Sequence, residues 1–441
     1  MTKSSNRRDF LSMAVGSAAV SALLLKAPVT AKAANSQKKT PEQPCRGGMV
    51  NYFDKGKPLT ISMWDFSWLL GHHTGGPYED LARRVEEAAE RGYNTLRVDC
   101  FPSHILEGKF TFKKKYGQSA IIPCWGDTLV AHEENVLKKV SELAELCRKN
   151  GIWLGLDSWD KGHMIGHTNK ISPQDEEKTF TAFSQTWVKA IKLMRQEGIL
   201  ERAVWIAPMN EVPHYASRYL HSVRDAGKKN RNEGETVFES KDEELAAIYK
   251  RINLWIGEAI KDEIRKDNIP LSYSSLGAEP YGKRLTDIYD AVDVHFMPDA
   301  PGSGTTRFTE MEKWDLKKFS VEWETACRNN YKAMITRARD YFTSAMNRCT
   351  TDSGKKLVPI VTESFGPCYF PDHKDVDWTW YKLYNSDAAR IIATLPYAGT
   401  TLSNYAEPLF RLWDDVNWHR NSNLYIEAMA QDSLVKHSSD G

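Results

Sequence analysis

Two glutamates in this chain stand directly after strongly apolar runs. Glu211 closes Ala203-Val204-Trp205-Ile206-Ala207-Pro208-Met209-Asn210-Glu211, and Glu363 closes Leu357-Val358-Pro359-Ile360-Val361-Thr362-Glu363. A buried strand that delivers a carboxylate carries a desolvation penalty unless the charge is paired or used. Two such groups can divide labour, one moving a proton while the other attacks carbon. The dipeptide Asn-Glu by itself says little, because Asn232-Glu233 repeats it inside a polar run that reads as solvated surface. Position separates the two. Arg97 in Leu96-Arg97-Val98-Asp99 and His295 in Val292-Asp293-Val294-His295 occupy the same kind of place. An inward-facing guanidinium needs a partner. Asp99, on the same strand face, and Asp65 are the architectural candidates.

The elements that would position these groups alternate regularly. Strands are expected at Leu59–Trp64, Thr95–Asp99, Ile152–Asp157, Ala203–Met209, Leu271–Ser275, Ala291–Phe296, Leu357–Thr362 and Gly399–Ser403. Helical periodicity covers 78–91, 133–149, 175–197 and 243–265, with Gly92 and Asn150-Gly151 as stops. Eight strands with intervening helices predict a single (β/α)8 TIM barrel of the α/β class, despite a 441-residue length that first suggests several domains. A doubly wound open sheet is the alternative, but no glycine-rich phosphate fingerprint opens any helix. In such a barrel the loops after the strands build the open face. The strand ends read Trp64-Asp65, Arg97-Val98-Asp99, Asp157-Ser158-Trp159, Asn210-Glu211, Gly277-Ala278-Glu279, His295-Phe296, Glu363-Ser364 and Asn404-Tyr405. A purely structural rim would not need that density of charge and aromatic rings.

Taken in order, these ends resemble clan A glycoside hydrolases of the cellulase-like, family 5-like kind. Ala207-Pro208-Met209-Asn210-Glu211-Val212-Pro213 resembles the strand-four Asn-Glu-Pro motif, and Val361-Thr362-Glu363-Ser364-Phe365-Gly366 the strand-seven motif with one extra residue before the glycine. Arg97 matches the strand-two arginine and His295 the strand-six histidine. The resemblance implies a retaining β-glycosidase acting on a β-linked oligo- or polysaccharide, with Glu211 as acid/base and Glu363 as nucleophile. It further implies that Arg97 keeps Glu363 ionised, that Asn210 donates to the sugar hydroxyl beside the reacting carbon, and that His295 orients the site. No cofactor and no metal are implied. The chain departs from the pattern in three places. Asp157-Ser158-Trp159-Asp160 stands where the family ends strand three with histidine, and Met297 where it has tyrosine. Tyr405 and Trp413 are the candidates for the sugar-stacking tryptophan of strand eight. With Asp157, Trp64 and Trp159 they complete the expected substrate-binding or supporting set. A catalytically weakened carbohydrate-binding barrel is the competing reading, although such a protein usually loses one of the two glutamates.

The N-terminus predicts export. Ser5-Asn6-Arg7-Arg8-Asp9-Phe10-Leu11 has the twin-arginine form, and Phe10 to Leu25 is an uncharged stretch too short and too diluted by Ala, Ser and Gly to span a bilayer. Ala31-Lys32-Ala33 supplies a cleavage site, so residues 1–33 read as a signal peptide for the twin-arginine export machinery. A polar tether at 34–58, the barrel at 59–430 and a polar tail at 431–441 would follow, in a periplasmic or secreted protein without a stable membrane span. The whole chain has 59 basic and 58 acidic residues, and the part after residue 33 has 54 and 57, net −3. That balance offers no electrostatic case for nucleic-acid binding. Seven cysteines without a CxxC leave haem, ribbon-zinc and iron–sulfur ligation without their signatures, which argues against an exported redox enzyme. His72-His73 and His163-x-x-x-His167 read as loop histidines rather than metal ligands, because Gly162 and Gly166 break a helix there. Of the 14 tryptophans, Trp153, Trp187, Trp205 and Trp255 fall on core faces, while Trp125, Trp378 and Trp380 lie in long loops that could stack sugar rings.

Overall fold

Eight parallel strands follow one another around a closed ring in the computed structural model, which describes residues 58–62, 65–113, 128–159, 176–211, 243–276, 285–296, 316–364 and 377–438. They are β1 (Leu59–Ser62), β2 (Thr95–Asp99), β5 (Trp153–Asp157), β6 (Ala203–Ala207), β7 (Ser272–Leu276), β8 (Ala291–His295), β9 (Val358–Ile360) and β10 (Gly399–Thr401). Five pair in the order β10-β1-β2-β5-β6 and three in the order β7-β8-β9. Parallel bridges Ile206–Leu271 and Val361–Thr400 join the two runs at both seams. The fold is therefore a single (β/α)8 barrel, as the alternation of elements predicts. The described residues belong to one compact unit.

The strands read as apolar runs because both of their faces are covered. Leu96, Val98, Leu154, Leu156, Val292 and Val294 point outward into the core shared with the helices. Leu59, Ile61, Trp205, Ala291 and Ile360 fill the lower interior of the barrel. Nearer the carboxyl ends the inward positions turn polar, with Arg97, Asp99, Asp157, Asp293 and His295 all buried. One close approach governs this interior. A Cβ on Gly155 would sit 1.8 Å from the Trp205 ring, so glycine at that position is what lets the indole cross the barrel.

The surrounding helices include α2 (Leu81–Glu90) and α4 (Val136–Lys149), capped by the side chains of Asp80 and Asn135. The fourth helix starts at Val136 rather than 133, because His132–Glu134 (β4) pairs antiparallel with Phe110–Phe112 (β3). A long helix at Leu316–Arg348, absent from the sequence reading, bends at Asn330, whose side chain donates to the Ala326 carbonyl and competes with the helical ladder. Of the 431–441 stretch, expected as a tail, residues 431–438 continue the last helix (Val416–Ser438), and 439–441 lie outside the described residues. Cys100, Cys147, Cys327 and Cys349 are buried free thiols. Cys45, Cys124 and Cys368, the 1–33 segment, Trp64, Trp125, Met297 and the 163–167 histidines lie outside the described residues. No helix among the described residues is long and apolar enough to cross a membrane.

Candidate active site

Arg97 is the hub of the upper barrel. From the middle of β2 its Nε donates to Asp157 Oδ2 at 2.5 Å, its Nη1 to Glu363 Oε2 at 3.0 Å and its Nη2 to Asn210 Oδ1 at 2.6 Å. Nη2 also lies 3.1 Å from Asp65 Oδ2. The planar fork thus ties together the ends of β1, β5, β6 and β9, a task for which a point-charge ammonium has the wrong shape. Burial alone would lower the arginine pKa, but the surrounding Asp157, Asp65 and Glu363 charges outweigh it and keep Arg97 charged. Asp65 and Asp99 in turn accept from neighbouring groups. The Trp159 indole N–H donates to Asp65, and the backbone N–H groups of Phe101 and Trp159 donate to Asp99.

Glu211 and Glu363 meet across this cluster. Single oxygens of each, together with a ring nitrogen of His295, lie within 4.8 Å of one another. His295 Nδ1 is 2.9 Å from Glu211 Oε1 and 3.7 Å from Glu363 Oε2, and Nε2 is 3.0 Å from Asp293 Oδ2. Asp293 is held by the Thr362 N–H and hydroxyl, and although burial opposes it, the imidazole and Arg97 keep it below the usual carboxylate range. Burial would also lower the His295 pKa. The Asp293 and Glu363 charges reverse that and raise it to about 10, so the ring is an imidazolium donating on both sides. As an imidazolium, His295 donates to Glu211 and Asp293.

The two glutamates share their charge. Burial first, and then the Glu211 charge, push Glu363 up to about 7, while His295 and Arg97 pull in the opposite sense. Arg97 contacts Glu363 and pulls its pKa down, against burial and the Glu211 charge. The Arg97 charge is spread over Asp65 and Asp157 as well. Asp157 is also driven well above the usual carboxylate range by burial and by Asp65 and Asp99, against the pull of Arg97.

Backbone geometry sharpens the site. Glu211 has φ +52°, a left-handed conformation that a non-glycine residue adopts only when its surroundings enforce it. Its N–H donates to Ser274 Oγ at 3.0 Å, and that hydroxyl donates to Asn210 Oδ1 at 2.8 Å. The buried Asn210 Nδ2 has no partner among the described residues.

Other expected residues are placed differently. Trp159 is buried edge-on to Phe66, and Tyr405 is enclosed by Trp378, Tyr381 and Phe410, so both support the rim from within. Trp413 is not brought to the cluster. It stacks on Tyr93, lies under Arg91 and donates to Glu87, beside the start of β2 and away from its carboxyl end. His72 bonds Glu134, which agrees with its reading as a loop histidine. The sequence reading missed Asp293 and Ser274 as site residues and treated Asp65 only as an architectural partner of Arg97. Asp293 had a signal, since alternation puts it on the same face as His295. Glu407 was also missed. It follows β10, accepts from the Tyr78 hydroxyl and is raised by burial to about 8.

The sugar-binding cellulase-like family matches residues 61–427. Among solved structures, a candidate glycoside hydrolase from Parabacteroides distasonis is 21% identical, with a TM-score of 0.65, covering 86% of this chain and 99% of its own. Endo-β-1,4-glucanase B from Bacillus halodurans is 13% identical with a TM-score of 0.52, and a trimodular family 5 endoglucanase is 14% identical at 0.51. Both cover 86% of this chain, which spans 62% of theirs. These likenesses concern the fold. The chain matches no curated protein sequence at a significant level. With the family matching from β1 into the last helix, this (β/α)8 barrel belongs to the sugar-binding cellulase-like family.

Proposed function

We propose that this protein is an exported retaining β-glycosidase that cleaves a β-linked glycan, with Glu363 as nucleophile and Glu211 as acid/base. The observation that carries the reading is the buried pair itself, with one oxygen of each within 4.8 Å of the other. Retaining enzymes hold their carboxyl groups about 5–5.5 Å apart, whereas inverting ones leave room for a water between them. The mechanism needs Glu363 as the anion, facing Arg97, and Glu211 as the proton donor. A Glu363 oxygen bonds the anomeric carbon as the glycosidic bond breaks, and Glu211 gives its proton to the departing oxygen. Glu211 then takes a proton from water, whose oxygen displaces Glu363 and restores the starting configuration. Asn210 Nδ2 donates to the sugar hydroxyl beside the reacting carbon in this reading. The β-linked substrate class follows the family and the endoglucanase activity of two neighbours. The twin-arginine pattern at Arg7-Arg8 supports a periplasmic or secreted location.

Glu363→Ala tests the assignment. Turnover of every β-glycoside should collapse, and added azide should restore release of a product with inverted configuration. Rescue with retained configuration would exchange the two roles. A wild-type protein that binds β-glucan but hydrolyses no aryl β-glycoside would instead be a carbohydrate-binding barrel.

A further inference from the structure

Asn210 and Glu211 are adjacent, yet they must do different things with groups that point different ways. One side chain outside the dipeptide touches both. Ser274, inward-facing on β7 and buried, accepts the Glu211 N–H at 3.0 Å and donates to Asn210 Oδ1 at 2.8 Å. The second lone pair of that amide oxygen is taken by Arg97 Nη2 at 2.6 Å. With both acceptor positions filled from the protein side, the amide has one favourable orientation, and Nδ2 has no partner among the described residues. A flipped amide would set an N–H₂ against a guanidinium, donor facing donor. The same hydroxyl engages the N–H of a residue held at φ +52°, so it holds the strained turn that presents the Glu211 carboxylate to His295.

We infer that Ser274 is a positioning residue that sets the Asn210-Glu211 dipeptide, and that it gives the site its selectivity for sugars bearing a hydroxyl beside the reacting carbon. This rests on the glycosidase reading for its functional half and on the hydrogen-bond geometry for its structural half, so the two are tested separately. Its register neighbour across the β7–β8 pair is Asp293, which already serves His295. Facing positions on two adjacent strands therefore each support one member of the catalytic cluster. Ser274 touches no reacting atom and acts only through Asn210 and Glu211.

The experiment compares Ser274→Ala and Ser274→Thr with wild type on an aryl β-glucoside and on its 2-deoxy analogue. Misplacement of a contact group near the reacting centre lowers rates by roughly a hundredfold. Ser274→Ala should therefore lose about that factor in kcat/KM on the glucoside and a smaller factor, from Glu211 alone, on the 2-deoxy substrate. Ser274→Thr, which keeps the hydroxyl, should recover most of the difference. In an Asn210→Ala background, Ser274→Ala should no longer change the ratio between the two substrates. Equal losses on both substrates, or a ratio that still moves without Asn210, would overturn the inference. The crystal structure of Ser274→Ala supplies the second readout, and Ser274→Val replaces it if that variant does not fold. The Asn210 amide should have turned, or Glu211 left the left-handed region. Unchanged geometry would overturn the inference even if the wild-type protein proved not to be a glycosidase, and altered geometry would sustain its structural half in that case.

Discussion

Replacing Glu211 by Gln measures how strongly the two carboxylates feel each other. In the intact pair Glu363 is raised to about 7, by burial first and by the Glu211 charge second, against the pull of His295 and Arg97. Facing oxygens lie within 4.8 Å of each other. Two unit charges at that separation interact by about 3 kcal/mol at an effective dielectric of about 20, or roughly two pK units. The sign is downward. Glutamine keeps the shape and removes the negative charge, which favours the Glu363 anion, so Glu363 should ionise near pH 5, about two units lower. The assay is the rate of glycosyl-enzyme formation from a dinitrophenyl β-glycoside, whose leaving group needs little protonation. Glu211→Gln should show one acidic limb with a midpoint near about pH 5 and a level rate above it. Wild type, in which the Glu211 charge is present, should show its acidic limb on the same dinitrophenyl substrate at about pH 7. A Glu211→Gln midpoint that stayed near 7 would refute the coupling, and with it the claim that these two groups face one another as a catalytic pair.

Arg97→Met should act on both stability and the pH profile. It strips the guanidinium from Asp65, Asp157 and Glu363 together, so chemical denaturation should report a loss of about 3–5 kcal/mol, as for other broken buried ion pairs. The acidic limb of whatever activity remains should move upward, since a cation that favoured the Glu363 anion is gone. Unchanged stability would show that the buried fork is not a net stabiliser. Gly155→Ala should lower the melting temperature and weaken folding by at least about 1–3 kcal/mol, because its Cβ would fall 1.8 Å from the Trp205 ring. Trp205→Phe in the same chain should recover part of that loss, and a variant that melts like wild type would mean the indole is not packed across Gly155.

Much of this architecture was legible before any coordinates. Parallel barrel strands are buried on both faces, so each writes a short apolar run into the chain, and all eight were expected within a few residues of where they lie. Glu211 and Glu363 were legible for the same reason, since a charged residue ending such a run stands out. Local pattern failed where tertiary pairing won. His132–Glu134 has helical surroundings but is a strand because Phe110–Phe112 lies beside it. Trp413 follows the last barrel strand, yet the chain carries it back along the helices to Arg91 and Tyr93, which no spacing rule encodes. The same holds for the chemistry of the site. The sequence alone named the arginine and the two glutamates, but only closure of the ring brings β1, β2, β5, β6 and β9 within reach of one guanidinium. Ser274 has no sequence signature at all, because a serine in a strand is ordinary until the neighbouring strand sets a strained glutamate against it. Alternation along a strand fixes which way a side chain faces, whereas the distance between side chains on different strands is set only when the barrel closes.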